Sequence, residues 1–68
     1  MLGTASTFSD ATKLCDADAT CRCIYNHGEY LEHCNGDHYT LLTSTHTRPD
    51  TGDCAWLKDG KYFYKVKI

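Results

Sequence analysis

Five cysteines fall within a chain of only 68 residues. A domain of this size buries about 60% of the surface that its unfolded chain exposes, so it needs cross-links, a metal or a partner to be stable. Dense cysteines in a short chain are typical of disulfide-stabilised domains from oxidising compartments. The odd count leaves one thiol over. We therefore expect a secreted, extracellular protein in which disulfide bonds replace a large core.

A hairpin predicted from strands 21–26 and 29–34 suggests one disulfide. If residues 27–28 form its turn, Cys21 lies directly opposite Cys34. Opposed residues of antiparallel strands lie close enough for a disulfide when the pair is not hydrogen-bonded. Cys21–Cys34 is therefore the first predicted bond.

Two pairings then remain for Cys54. A bond from the N-terminal arm, Cys15–Cys54, leaves Cys23 over, whereas Cys23–Cys54 leaves Cys15 over. The prediction is Cys15–Cys54, because Cys23 shares a strand face with Cys21, and spacing alone does not decide it. The leftover thiol is either buried and inert or bonded to the same residue of a second copy, which would make a homodimer.

Strand signals begin at Cys21 and continue to the end of the chain. Alternating and β-branched patterns predict strands over residues 21–26, 29–34, 37–46, 54–58 and 61–68. Asp59-Gly60 is the strongest hairpin dipeptide. The predicted fold is all-β, a small disulfide-stabilised antiparallel β-barrel or sandwich of about five strands. Residues 1–68 form a single domain, with the β core over 21–68 and an N-terminal arm over 1–20 that is irregular or holds a short helix starting at Ser9.

The last predicted strand alternates between two faces. Tyr62 and Tyr64 share the face assigned to the core, which leaves Phe63 on the outer face among three lysines: Lys61, Lys65 and Lys67. An exposed phenylalanine ringed by lysines indicates a recognition patch, or an edge strand whose lysines discourage unwanted pairing. We predict these four outer residues as part of a binding surface.

Residues 47–53 form a loop that invites two interpretations. Arg48 would suit a trypsin-like pocket, as in the reactive loop of a protease inhibitor, but the following Pro49 disfavours that binding mode. As a turn, Pro49 pre-sets φ and Asp50 tolerates turn geometry. Such loops also collect binding residues, so Arg48 and Asp50 join the predicted binding surface.

Asp16, Asp18 and Thr20 match the DxDxT string of aspartate-nucleophile phosphotransferases. That chemistry needs a buried strand before the first aspartate and a large α/β domain behind it, and neither fits here. A calcium loop would need glycine and glutamate where Cys21 and His27 stand. We interpret the segment as a solvated acidic turn.

Two other clusters are candidates for chemistry. The zinc alternative uses Cys21, Cys23, His33 and Cys34, but oxidising conditions would turn these thiols into disulfides first. A ribonuclease-like acid–base set would draw on Glu29, Glu32, His38, His46 and Arg48, and nothing in their spacing selects them. We therefore expect no enzyme activity, no catalytic residues, no metal and no cofactor.

Charge and hydropathy narrow the class of partner. The net charge is −2, whereas a nucleic-acid binder usually has a basic balance. No apolar run is long enough for a transmembrane helix. These features predict a protein or cell-surface partner, with no nucleic acid and no membrane span.

The start Cys15-x5-Cys21-x-Cys23, the short β-hairpins and the many threonines make residues 15–68 resemble the small secreted cysteine-rich proteins of fungi, including effectors and elicitors. The resemblance implies an extracellular protein that binds a host or microbial partner without catalysis. Two alternatives come from other classes. One is an antimicrobial or toxin-type protein, and the other is an inhibitor of a secreted hydrolase that presents residues 47–53.

Overall fold

The computed structural model describes residues 2–28, 34, 36–45 and 53–66. They form β1 (Gly3–Ala5), α1 (Phe8–Ala17), β2 (Cys23–Asn26), β3 (Tyr39–Leu42), β4 (Cys54–Asp59) and β5 (Tyr62–Lys65). The strands make one antiparallel sheet in the order β1-β3-β2-β4-β5. The predicted β class of about five antiparallel strands is confirmed, with one short helix added to the predicted all-β fold. Among the described strands the sheet is open instead of closed into a barrel, with β1 and β5 at its edges.

The N-terminal arm contains regular structure and joins the sheet. Thr7 is extended, and its Oγ1 accepts a hydrogen bond from the backbone N of Asp10 at 3.1 Å. Thr7 therefore caps the N-terminus of α1. The negative charge of Asp10 in the first turn interacts favourably with the positive end of the helix dipole. The helix alternative is confirmed, with its cap at Thr7 instead of Ser9. An irregular arm outside the β core is wrong, because β1 pairs with β3 and α1 packs on the sheet.

The core lies between α1 and the sheet face that α1 covers. Phe8 of α1 contacts three aromatic rings of the sheet, with centroid distances of 4.6 Å to Trp56, 5.7 Å to Tyr39 and 6.5 Å to Phe63. Such pairs contribute about 0.5–1.5 kcal/mol each beyond the area they bury. The buried residues of this core are Ala11, Cys15, Cys21, Ile24 and Leu41.

The central strand of the sheet is β2. Its two neighbours are β3 and β4, so Tyr25 lies opposite Thr40 on one side and Ala55 on the other. The predicted hairpin between 21–26 and 29–34 is therefore wrong, because strands more distant in sequence occupy both edges of β2. Most of the predicted strand 29–34 lies outside the described residues.

The hairpin of β4 and β5 is confirmed, with its turn one residue later than predicted. Asp59 still belongs to β4 and lies opposite Tyr62, so Gly60 and Lys61 are the turn residues. Gly60 has a φ of 62°, which suits the first central position of a type II′ turn.

Phe63 lies on the inner face of the sheet, so the faces predicted for the last strand are reversed. Phe63 is opposite Lys58 and packs against the core beside Trp56. Tyr62 and Tyr64 occupy the other face and are 70% and 56% exposed. Cross-strand partners share a face. With Asp59-Gly60 as the turn, Trp56 would lie opposite Phe63. In the structure Trp56 lies opposite Lys65, which shares a face with Phe63, so Trp56 and Phe63 are on the same face in both registers. The prediction failed because it counted apolar residues along the last strand alone.

The two disulfides join Cys15 to Cys21 and Cys34 to Cys54. The same four cysteines were predicted, but both pairings were wrong. Cys15 lies in the last turn of α1, and the chain turns back at once so that the Cα atoms of Cys15 and Cys21 are 5.2 Å apart. The predicted Cys21–Cys34 bond depended on the hairpin that does not form. Cys23 belongs to neither disulfide and is fully buried, so a bond to a second copy would require the fold to expose it.

Candidate functional site

Two tyrosines project from β5 on the sheet face that α1 does not cover. Tyr62 and Tyr64 are two residues apart in a strand and therefore share a face. Lys61 and Lys65, both exposed, flank them in sequence, and Lys65 lies on the opposite face of the strand because it pairs with Trp56. Tyrosine combines a large rigid ring with a hydroxyl group, which suits it to partner contacts. We call Lys61, Tyr62, Tyr64 and Lys65 the β5 surface.

The edge of β5 adds backbone groups to this surface. The backbone N of Val66 donates to the carbonyl O of Ala55 at 2.8 Å, and inward and outward peptide groups alternate along an antiparallel strand. The peptide groups of Tyr64 therefore face β4, whereas those of Phe63 and Lys65 face outward. In the described part of the chain, no strand pairs with this outer edge. It offers hydrogen-bond donors and acceptors beside the exposed tyrosines.

A buried carboxylate, Asp53, lies immediately before β4 and connects it to the end of β2. The Tyr25 hydroxyl donates to its Oδ2 at 2.5 Å, and the backbone N of Gly28 donates to its Oδ1 at 3.0 Å. Nδ1 of His27 lies 3.1 Å from the same Oδ1. The hydrogen bond from Tyr25 lowers the pKa of Asp53 below its ordinary 3.8, and His27 and Gly28 add to this effect against the opposing effect of desolvation. We call these four residues the Asp53 cluster.

The pairing of His27 with Asp53 resembles one part of an acid–base device. A carboxylate that orients a histidine assists catalysis when a nucleophile or an acid also lies within hydrogen-bond reach. Among the described residues, Asp53 is the side chain that bonds to His27, which is 79% exposed. We assign the Asp53 cluster a structural role, because its hydrogen bonds join the end of β2 to the start of β4.

Asp53→Asn is expected to lower the free energy of unfolding at pH 7 by about 1–3 kcal/mol, because the amide cannot accept all the bonds that the buried carboxylate accepts. The folded pKa is lowered, so the ionised carboxylate stabilises the fold above pH 3.8, and this contribution is lost as pH falls through the lowered pKa. The unfolding free energy of Asp53→Asn should therefore lack the part of the decrease at low pH that comes from protonation of Asp53. Urea unfolding followed from pH 7 to pH 2 measures both effects.

Asp37→Asn is the matched control, because Asp37 is 96% exposed and contacts the neighbouring His38. Its unfolding free energy should follow that of the unmodified protein across the pH range. A pH profile for Asp53→Asn that runs parallel to the unmodified one below about pH 4 would contradict the role given to Asp53.

The fully buried amide of Asn26 closes the chain segment that follows β2. Its Nδ2 donates to the carbonyl O of Gly36 at 3.2 Å and to that of His38 at 3.1 Å, and Gly36 N donates to its Oδ1 at 2.9 Å. A β-carbon on Gly36 would overlap the carbonyl O of His27, so glycine permits this close approach. Sequence reasoning missed Asn26, because its partners lie ten and twelve residues further along the chain.

Lys58 was also missed by sequence reasoning. Its Nζ donates to the carbonyl O of Cys15 at 2.9 Å and lies 3.9 Å from Oδ1 of Asp16. A cation at the C-terminal end of a helix is favoured by the helix dipole. Lys58 and Cys15 are 43 residues apart, so nothing local in the sequence signals the contact.

The DxDxT segment covers the last two residues of α1 and the turn that follows it. Oδ1 of Asp18 accepts hydrogen bonds from the hydroxyl of Thr20 at 2.6 Å and from its backbone N at 2.9 Å. These bonds, the hydroxyl bond first, lower the pKa of Asp18. The interpretation as a solvated acidic turn is confirmed.

Three residues of the predicted binding surface lie in the described part of the chain. Lys61 and Lys65 belong to the β5 surface, whereas Phe63 packs inward and the exposed tyrosines take its place. The remaining predicted members lie outside the described residues: Lys67, Arg48 and Asp50.

The structure describes part of each of the two candidate sites for chemistry. Cys21 and Cys34 of the zinc alternative belong to different disulfides, so their thiols are not available to a metal. Of the acid–base set, His38 lies in the described part of the chain, where its Nδ1 is 2.7 Å from Oδ1 of Asp37. The other members of that set lie outside it: Glu29, Glu32, His46 and Arg48.

Comparisons with known proteins add no relative to this description. No protein-family model, curated protein or solved structure matches the chain. Over the described residues, no helix combines the length and apolar character needed to cross a bilayer.

Proposed function

We propose that this protein is a small secreted binding protein of the effector or elicitor type, which acts by non-catalytic contact with a host or microbial partner. The observation that carries the proposal is the β5 surface. Tyr62 and Tyr64 are large side chains, 70% and 56% exposed on one face of an edge strand. Tyrosines are enriched among the residues that contribute most to protein interfaces.

The disulfides support an extracellular compartment. Bonds such as Cys15–Cys21 and Cys34–Cys54 persist in oxidising surroundings and are rare in reducing ones. They support secretion into an extracellular space. A disulfide-stabilised scaffold also keeps a small recognition surface rigid, which lowers the entropy lost on binding.

The test infiltrates the purified protein into plant tissue and compares it with two variants. Tyr62→Ser combined with Tyr64→Ser removes the exposed rings, whereas Leu14→Ser removes a 48% exposed apolar side chain from α1. We expect a tissue response to the unmodified protein and to Leu14→Ser, and its loss in the double variant. No response to any of the three, or an equal response to all three, would contradict the proposal.

Parallel assays separate the alternative functions. Growth of challenged microbes tests the antimicrobial or toxin-type alternative, and a panel of secreted hydrolases tests the inhibitor alternative. Activity seen solely as substrate turnover, without a stable partner, would replace the binding proposal with an enzymatic one.

A further inference from the structure

We propose that the outer edge of β5 binds an extended acidic segment of its partner by strand addition, in which the segment becomes a sixth strand of the sheet. This inference depends on the proposed function, because it specifies how the β5 surface recognises its partner. The juxtaposition that carries it is an outer strand edge that no described strand covers, with Lys65 on one face, exposed tyrosines on the other and Lys61 in the adjoining turn.

The backbone of β5 supplies the hydrogen bonds. The peptide groups of Phe63 and Lys65 point away from β4, as the bond from Val66 N to Ala55 O requires. In strand addition, such main-chain groups provide affinity, and contacts with alternate side chains provide specificity. An extended segment laid along β5 would satisfy both outward donors and both outward acceptors.

The side chains of β5 specify the chemistry of the segment. Lys65 is opposite Trp56 and so lies on the face covered by α1, whereas Tyr62 and Tyr64 lie on the other face. Lys61 in the turn adds a second exposed positive charge. The complementary strand has carboxylates at the positions beside the lysines and apolar side chains at the alternate positions beside the tyrosines.

The same charges disfavour a second copy of this chain as the occupant. Two β5 strands paired antiparallel about Phe63 would place Lys61 of one copy opposite Lys65 of the other, twice. Like charges directly opposite each other destabilise a sheet, and edge lysines are a common protection against self-pairing. In this register the outer edge of β5 therefore favours a negatively charged partner over a second copy.

The test uses a short fluorescein-labelled peptide in which glutamate alternates with valine. Anisotropy at low salt should rise with added protein, and a peptide with lysine in place of glutamate should bind more weakly. Lys65→Gln should weaken binding of the glutamate peptide about two- to five-fold, as expected for one exposed ion pair. Lys13→Gln, which removes an exposed lysine on α1, should leave the affinity unchanged.

Two further peptides test the backbone pairing directly. One carries N-methyl groups on its glutamates and the other on its valines, so that each blocks one edge of the bound strand. We expect one of them to lose binding and the other to keep it. Equal binding of both at the affinity of the unmethylated peptide would overturn strand addition.

Hydrogen exchange locates the contact. The amide protons of Phe63 and Lys65 should exchange rapidly in the protein alone and slowly with the glutamate peptide, while that of Tyr64 is slow in both. Protection of Phe63 and Lys65 that rises with protein concentration alone would indicate a second copy and overturn the acidic partner.

The two proposals fail separately. Loss of the tissue response in the tyrosine double variant, together with no peptide binding, would retain the binding function and refute strand addition. Peptide binding without any tissue response would refute the effector function and retain the acidic strand site.

Discussion

Replacing Cys34 and Cys54 together by alanine is expected to lower the free energy of unfolding by about 3 kcal/mol. The two residues are 20 apart in sequence, so their bond removes a large loop-closure entropy from the unfolded chain. A domain of this length has a total stability of only about 3–10 kcal/mol. The double variant should therefore be partly or largely unfolded at room temperature.

The local backbone adds to this expectation. Cys34 has a φ of 61°, in the left-handed region that residues other than glycine adopt at a cost. The disulfide holds the residue there, and without the bond the chain is free to leave that conformation. The segment that follows includes Gly36, which bonds to the buried Asn26, so the loss extends to the sheet.

Urea unfolding of the oxidised proteins measures the difference, and reductant provides the control. In dithiothreitol the unmodified protein also loses this disulfide. The difference in unfolding free energy between it and the double variant should then shrink to the cost of truncating two side chains. Equal denaturation midpoints for the two oxidised proteins would show that the bond does not stabilise the fold.

Asn26→Ala is expected to lower the free energy of unfolding by about 3 kcal/mol. The substitution leaves the backbone N of Gly36 and the carbonyl oxygens of Gly36 and His38 without their side-chain partner. It also leaves a cavity at a fully buried position in the central strand. Because Asn26 lies opposite both Tyr39 and Cys54, the disturbance reaches strands on either side.

Asn26→Asp is the matched variant, because it keeps the size of the side chain and changes its hydrogen bonding. A carboxylate still accepts from Gly36 N but cannot donate to the two carbonyl oxygens. Asn26→Asp should therefore be destabilised at pH 7 and partly recover when the carboxyl group is protonated in acid. Urea unfolding at pH 7 and about pH 4 measures this recovery. Alanine and aspartate variants that both retain the unmodified stability would contradict the role of the amide.

Local signals predicted much of the fold. Asp59-Gly60 gave the β4–β5 hairpin within one residue, because a tight turn and its two strands are adjacent in sequence. The first hairpin failed because the neighbours of β2 come from distant segments, so Tyr25 lies opposite Thr40 and Ala55. A single sequence contains no local signal for such long-range pairing.

In the candidate site, too, features with a local sequence signal were predicted and features that depend on distant residues were missed. The last strand was predicted to carry a recognition surface, and its alternation was correct, but the core face was assigned from that strand alone. The position of α1 decides the face, because Phe8 packs on Trp56 and Phe63. The Asp53 cluster could not be predicted, because Asp53 and Tyr25 are 28 residues apart.

A tryptic digest under non-reducing conditions tests the central claim, that one disulfide lies within residues 14–22 and the other within residues 23–58, with no bond between these two segments. Cleavage after Lys13, Arg22 and Lys58 releases residues 14–22, with Cys15 and Cys21, and residues 23–58, with the other three cysteines. We predict that mass spectrometry finds these two peptides separate, each lighter by the two hydrogen atoms lost on forming an internal disulfide. A single species in which residues 14–22 and 23–58 are joined through sulfur would contradict the account.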